Sequence, residues 1–112
     1  MRVTICLDTD GTVESSNGPV TRSLLEHLES AGAHIGVVSV SPSHLKNPDG
    51  SPRFENISTP DLNQRHQSLR RFREKWPADL YLYVDDLESN RPQAELAGFV
   101  FIFPWHLAAL KP

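Results

Sequence analysis

The chain has a single cysteine, Cys6, so no internal disulfide framework holds it together. That fits a reducing compartment, and a cytoplasmic location is the expectation. It also lacks any apolar run approaching the ~20 residues that span a bilayer. The first apolar stretch is short and is broken at once by Asp8, unlike a signal peptide, so no membrane partner is expected. Positive charge is not in excess: the formal net charge is −3. This argues against nucleic-acid or membrane-surface binding driven by overall charge, leaving nucleic acid only the role of substrate. There is no Gly-rich phosphate loop, no Gly-x-Ser-x-Gly elbow and no Cys/His cluster. His27, His34, His44, His66 and His106 are scattered without metal-ligand spacing. Repeats and low-complexity tracts are absent too.

What is present is an alternation of strand and helix signals over 112 residues, enough for one domain across 1–112 and no second one. Val3-Thr4-Ile5-Cys6-Leu7 reads as a buried strand. Pro19 suits the first position of a helix in which Val20, Leu24, Leu25, Leu28 and Ala31 recur at helical spacing, with Gly32 as its stop. His34 to Val38 is a second strand, ending at Ser39, and Pro42 to Pro52 is loop. Phe54 to Ile57 is a weaker third strand. A helix from Asp61 to Trp76 places Leu62, Leu69, Phe72 and Trp76 on its inner side.

Leu80 to Val84 is the clearest later strand. A helix with Pro92 near its start and Gly98 at its end follows, then a strand from Phe99 to Phe103 and a short tail from Trp105 to Leu110. This order implies an α/β fold: a Rossmann-like, mostly parallel sheet of four or five strands with helices on both faces. Ligands bind such sheets outside the carboxyl ends of the strands. Here those ends carry Asp8, Ser39 and Asp85-Asp86.

The first of these ends is the most informative. Asp8 and Asp10, one residue apart after a buried strand, resist joint ionisation unless a cation lies between them. Their hard oxygens suit Mg²⁺, which keeps several waters and shares its coordination with phosphate. Gly11 lets the chain leave the strand in a conformation a Cβ would resist. Asp-Gly is also an ordinary turn dipeptide. Likewise Asp85 and Asp86 could simply begin a helix, where carboxylates favour the N-terminal dipole.

Taken together, the motifs resemble those of the haloacid dehalogenase-like (HAD) superfamily, whose members are mostly phosphohydrolases. An apolar strand followed by Asp-x-Asp-Gly-Thr is matched by Cys6 to Val13. By that resemblance Asp8 would be the nucleophile, forming an aspartyl-phosphate, and Asp10 the general acid and then the general base. Mg²⁺ would be held by Asp8, by the backbone carbonyl of Asp10 and by Asp86. Ser39, seven residues after Gly32 as is usual for the second motif, would hydrogen-bond a phosphoryl oxygen; Ser41 is its rival. Tyr83 to Asn90 is similar to the family's Asp-Asp-x-x-x-Asn variant, with Asp85 supporting the metal ligand and Asn90 bracing the loop.

The third motif departs from the pattern. The family places a Lys, less often an Arg, near the start of the helix before this strand, where it offsets the charge of nucleophile and phosphate. No lysine stands there, and Arg65 takes that place, with Arg70 second. The rest of that helix, with His66, Arg71, Arg73 and Lys75, reads as a solvated basic face; steering of a polyanionic substrate is the alternative.

Neither 13–18 nor 42–60 can fold into a cap domain of the kind larger relatives insert. Capless members act on bulky or macromolecular phosphoesters, or gain a lid from a second copy in a homo-oligomer. The expectation is therefore a Mg²⁺-dependent phosphohydrolase acting on a phosphorylated, bulky or macromolecular substrate. The alternative is a non-catalytic regulatory module that binds phosphate and metal on the same fold.

Overall fold

The computed structural model describes residues 1–39, 45–58 and 64–110. β1 (Val3–Leu7) pairs in parallel with β2 (His34–Ser39) on one side and β4 (Leu80–Val84) on the other. Beyond them lie β3 (Glu55–Ser58) and β5 (Val100–Ile102). The sheet is thus five-stranded and wholly parallel, in the order β3-β2-β1-β4-β5. The chain steps outward from β1 to β3 and then resumes on the other side at β4. The crevice between β1 and β4 is therefore the topological switch point, where open α/β sheets take their ligands.

Among the described residues, four helices cover the sheet: α1 (Arg22–Ser30), α2 (Arg65–Lys75), α3 (Arg91–Leu96) and α4 (Pro104–Ala108). Side chains alternate between faces along each strand. Ile5, Leu7 and Val84 pack with Leu24 and Leu25 of α1 and Leu107 of α4. Cys6, Tyr83 and Phe101 pack with Leu69 and Phe72 of α2 and Ala94 of α3. At Gly36 a Cβ would stand 2.7 Å from the Phe72 ring, so the glycine admits α2 close to β2. Truncating Phe72 to alanine would cost about 3–5 kcal/mol.

Several boundaries differ from the sequence expectation. Thr21, not Pro19, starts α1: its hydroxyl accepts from the Leu24 amide at 3.1 Å. Val20 lies outside the helix, bridged to Val13 and wholly buried. The expected tail from Trp105 is α4, begun by Pro104. Phe54 precedes β3 and is buried in the core. Asp61 and Leu62 lie outside the described residues. Among the described residues, no helix is long and apolar enough to cross a membrane.

Candidate functional site

The ladder runs one residue past the ends of the central strands. The Asp8 amide donates to Val84 O at 3.0 Å, and the Asp85 amide to Ile102 O at 3.3 Å. By alternation, Asp8 and Asp85 lie on the face that carries α2 and α3. Asp8 is buried and Asp85 fully so. Asp8, Asp85 and Asp86 each bring a carboxylate oxygen to within 4.8 Å of the others.

The chain reaches this arrangement through a closed turn. Thr12 and Val13 both donate their amides to Thr9 O, the Gly11 amide reaches Ser16 O at 2.8 Å, and Val20 N returns to Thr12 O at 2.9 Å. Gly11 has φ +72°, and a Cβ on it would stand 2.1 Å from Asp86 Oδ2. The Asp86 carboxylate thus rests on the bare Cα of Gly11. This joins the loops after β1 and β4.

Arg65, the first residue of α2, is 2% exposed and sends its guanidinium into this cluster. Nη1 lies 3.1 Å from Asp8 Oδ1 and 3.1 Å from Asp85 Oδ2, and donates to the Tyr83 hydroxyl. Tyr83 in turn donates to Asp85 Oδ2 at 2.7 Å, as does Asn90 Nδ2 at 2.7 Å. The other oxygen, Oδ1, accepts from the Leu87 amide at 3.0 Å. With both oxygens engaged, Asp85 serves as an anchor for the loop and for Arg65. Asp8 and Asp86 are left as the more open carboxylates of the three. Tyr83 is the member that the sequence reading missed, since an aromatic residue in a buried strand reads as core. The only signal was its position two residues before Asp85, on the same face of the strand.

Charge in the cluster is unbalanced. Burial pushes the Asp8 carboxyl up to about 6, the Asp85 charge adds to the rise, and Arg65 opposes it. Asp86 is raised as well, by desolvation first, then by its hydrogen bond and charge interaction with Asp85, and in smaller part by Asp10. Tyr83 is pushed up by burial and by Asp85, which keeps its hydroxyl a donor. A lone guanidinium among these carboxylates leaves net negative charge in a partly dry crevice. An acidic group of this kind can hold a metal ion, and its donors are all hard oxygens. Cys6, fully buried with its thiol pushed up by burial, is no nucleophile.

The remaining expected residues fall as follows. Asp10 is exposed at the mouth of the crevice, close enough to raise Asp86. Ser39 ends β2 and pairs through its backbone with Ser58; its side chain, like Ser41, lies outside the described residues. Arg70 does not approach Asp8, because its Nη2 donates to Leu96 O at 3.3 Å. Arg73 donates to Ala97 O at 3.2 Å and Lys75 pairs with Glu55 at 2.9 Å. Arg70 and Arg73 thus brace the last carbonyls of α3 and Lys75 ties α2 to β3, while Arg70, Arg71, Arg73 and Lys75 all stay exposed.

The fold and site define a parallel α/β protein with an acidic, arginine-braced centre at its switch point. Protein-family models, curated proteins and solved structures were all compared with the chain, and none matches.

Proposed function

We propose that the chain is a small, capless HAD-like phosphohydrolase that cleaves phosphomonoesters through Asp8. The observation that carries this reading is the placement of Asp8 at the switch point, 3.1 Å from a buried Arg65 and beside Asp86. Asp8 Oδ attacks phosphorus as the ester P–O bond breaks, giving an aspartyl-phosphate and an alcohol. Asp10, at the mouth, donates the proton to the leaving oxygen. It then takes a proton from the water that cleaves the acyl phosphate, which releases phosphate and restores Asp8. Arg65 offsets the charge gathered on Asp8 and the phosphoryl oxygens, and Tyr83 and Asp85 hold it there. Ser39, at the end of the neighbouring β2, orients the group in line.

Asp8, Asp86 and the Asp10 carbonyl would hold the cation, and an all-oxygen set of this size suits Mg²⁺. Its charge would neutralise the phosphoryl oxygens and favour the ionised forms of Asp8 and Asp86, which burial first and the Asp85 charge after it disfavour. A second reading, a module that binds metal and phosphate without turnover, is favoured by one observation. Arg65 Nη1 is already shared among Asp8, Asp85 and Tyr83, so less of its charge is left for a phosphoryl group.

Phosphate release from an aryl phosphate, with Mg²⁺ and with chelator, separates the two. Turnover that needs both the metal and Asp8 supports the hydrolase. If turnover is absent but Mg²⁺ and a phosphate mimic together raise the melting temperature, the binding module stands instead.

A further inference from the structure

The row that holds the carboxylates continues onto an aromatic residue. Leu7 pairs with Val84 and Val84 with Ile102, and the two hydrogen bonds beyond them extend the register by one residue. Asp8, Asp85 and Phe103 are therefore successive members of one row across β1, β4 and β5. Cys6, Tyr83 and Phe101, two residues earlier, all lie on the α2–α3 face, so this row faces the same way. Phe103 stands two strand spacings, about 10 Å, from Asp8.

Trp105 stacks on Phe103 with ring centroids 4.5 Å apart and planes 7° from parallel. Phe101 meets Phe103 edge-on at 5.2 Å, and His106 meets Trp105 at 6.0 Å and 69°. The indole is thus held by rings on its inner side, yet it is 53% exposed. An exposed tryptophan with a fixed plane at the ligand edge of a parallel sheet is a ready stacking surface.

We infer that Phe103 and Trp105 form the platform that seats a nucleobase while Asp8 faces the phosphate, making the substrate a nucleoside 5′-monophosphate; this rests on the phosphohydrolase reading. The length of the row favours this class. The seat is the open face of Trp105, a stacked ring 4.5 Å from Phe103 at the far end of the row. An aryl phosphate carries its ring directly on the ester oxygen, whereas a nucleotide interposes a ribose and reaches further along the row. A site read as capless also needs a seat of this kind to hold its leaving group. Stacking one base on an aromatic side chain is worth about 5- to 150-fold in affinity.

The test compares adenosine 5′-monophosphate with ribose 5-phosphate, in Mg²⁺, on the full chain and on Trp105→Ala and Trp105→Phe. Phosphate release is followed beside quenching of tryptophan fluorescence. The nucleotide is expected to be preferred by about tenfold or more in kcat/KM. Trp105→Ala should erase that preference through KM and leave ribose 5-phosphate unchanged, and Trp105→Phe should keep most of it. Equal turnover of both compounds, unaffected by Trp105→Ala, overturns the platform while the hydrolase stands. If neither compound is turned over but the aryl phosphate is, the hydrolase stands and the nucleotide is overturned as its substrate. If the aryl phosphate is not turned over either, the hydrolase reading fails and the fluorescence decides. Saturable quenching by the nucleotide alone, lost in Trp105→Ala, upholds the aromatic seat, and its absence overturns it.

Discussion

Arg65 meets Asp8 through a single nitrogen, Nη1, 3.1 Å from Asp8 Oδ1. The contacts to Asp85 and Tyr83 use the same nitrogen, and Nε, buried, has no hydrogen-bond partner. Toward these three described partners, the planar fork that usually separates arginine from lysine is not what Arg65 draws on. An ammonium with three donors can meet the same three acceptors. Arg65→Lys is expected to keep activity within about tenfold of the parent. Arg65→Met leaves buried carboxylates without a counter-charge and should lower stability by about 3–5 kcal/mol. Urea unfolding and phosphate release on both variants check this; a lysine variant as damaged as the methionine one would contradict it.

The contact between Gly11 and Asp86 gives a second expectation. A Cβ at position 11 would press on Asp86 Oδ2 from 2.1 Å and hold a side chain at φ +72°. Gly11→Ala should therefore displace a proposed metal ligand and cost about 1 kcal/mol in backbone strain. Titration of Mg²⁺ against melting temperature should show at least about tenfold weaker binding than in the parent, in line with losing one well-placed ligand. Unchanged Mg²⁺ affinity would remove Asp86 from the metal set.

Stability in chelator should depend on pH in an unusual direction for a carboxylate. Asp8 rises from its ordinary 3.8 to about 6 in the folded chain, so the folded state holds that proton more tightly than the unfolded one. Its contribution to stability is full below about pH 4 and is lost as pH rises through about 6. The loss is on the order of 2–3 kcal/mol, and Asp86, raised in the same direction, adds to it. Denaturant unfolding at pH 5 and pH 7.5 should show roughly half of this decline, about 1.4 kcal/mol from Asp8. Mg²⁺ should reverse it at the higher pH, and Asp8→Asn should melt several degrees above the parent there. A stability that rises over this range, with no gain in Asp8→Asn, would contradict the account.

Much of the architecture was legible in the sequence because local pattern decided it. β4 lies at Leu80–Val84 as its continuous apolar run implies, and β1 ends where Asp8 begins. The start of α1 was less legible: Pro19 and Thr21 both carry start signals, and the Thr21 cap prevails while Val20 is drawn into the bridge with Val13. α4 is one short turn and a half, too brief for periodicity to reveal, and Pro104 was its only mark. Asp8, Asp85 and Asp86 could be singled out because each follows a strand. The convergence of Arg65 and Tyr83 on Asp85 depends on how α2 docks against β4, and spacing along the chain does not encode that.

The most direct measurement of the central claim is chemical trapping of the acyl phosphate. The protein is mixed with Mg²⁺ and excess phosphoester, quenched in acid and reduced with borohydride, which converts a phosphorylated aspartate to homoserine. Peptide mass spectrometry should then find homoserine at Asp8, only when Mg²⁺ is present. Turnover without a trapped adduct, or homoserine at another aspartate, would contradict Asp8 as the nucleophile.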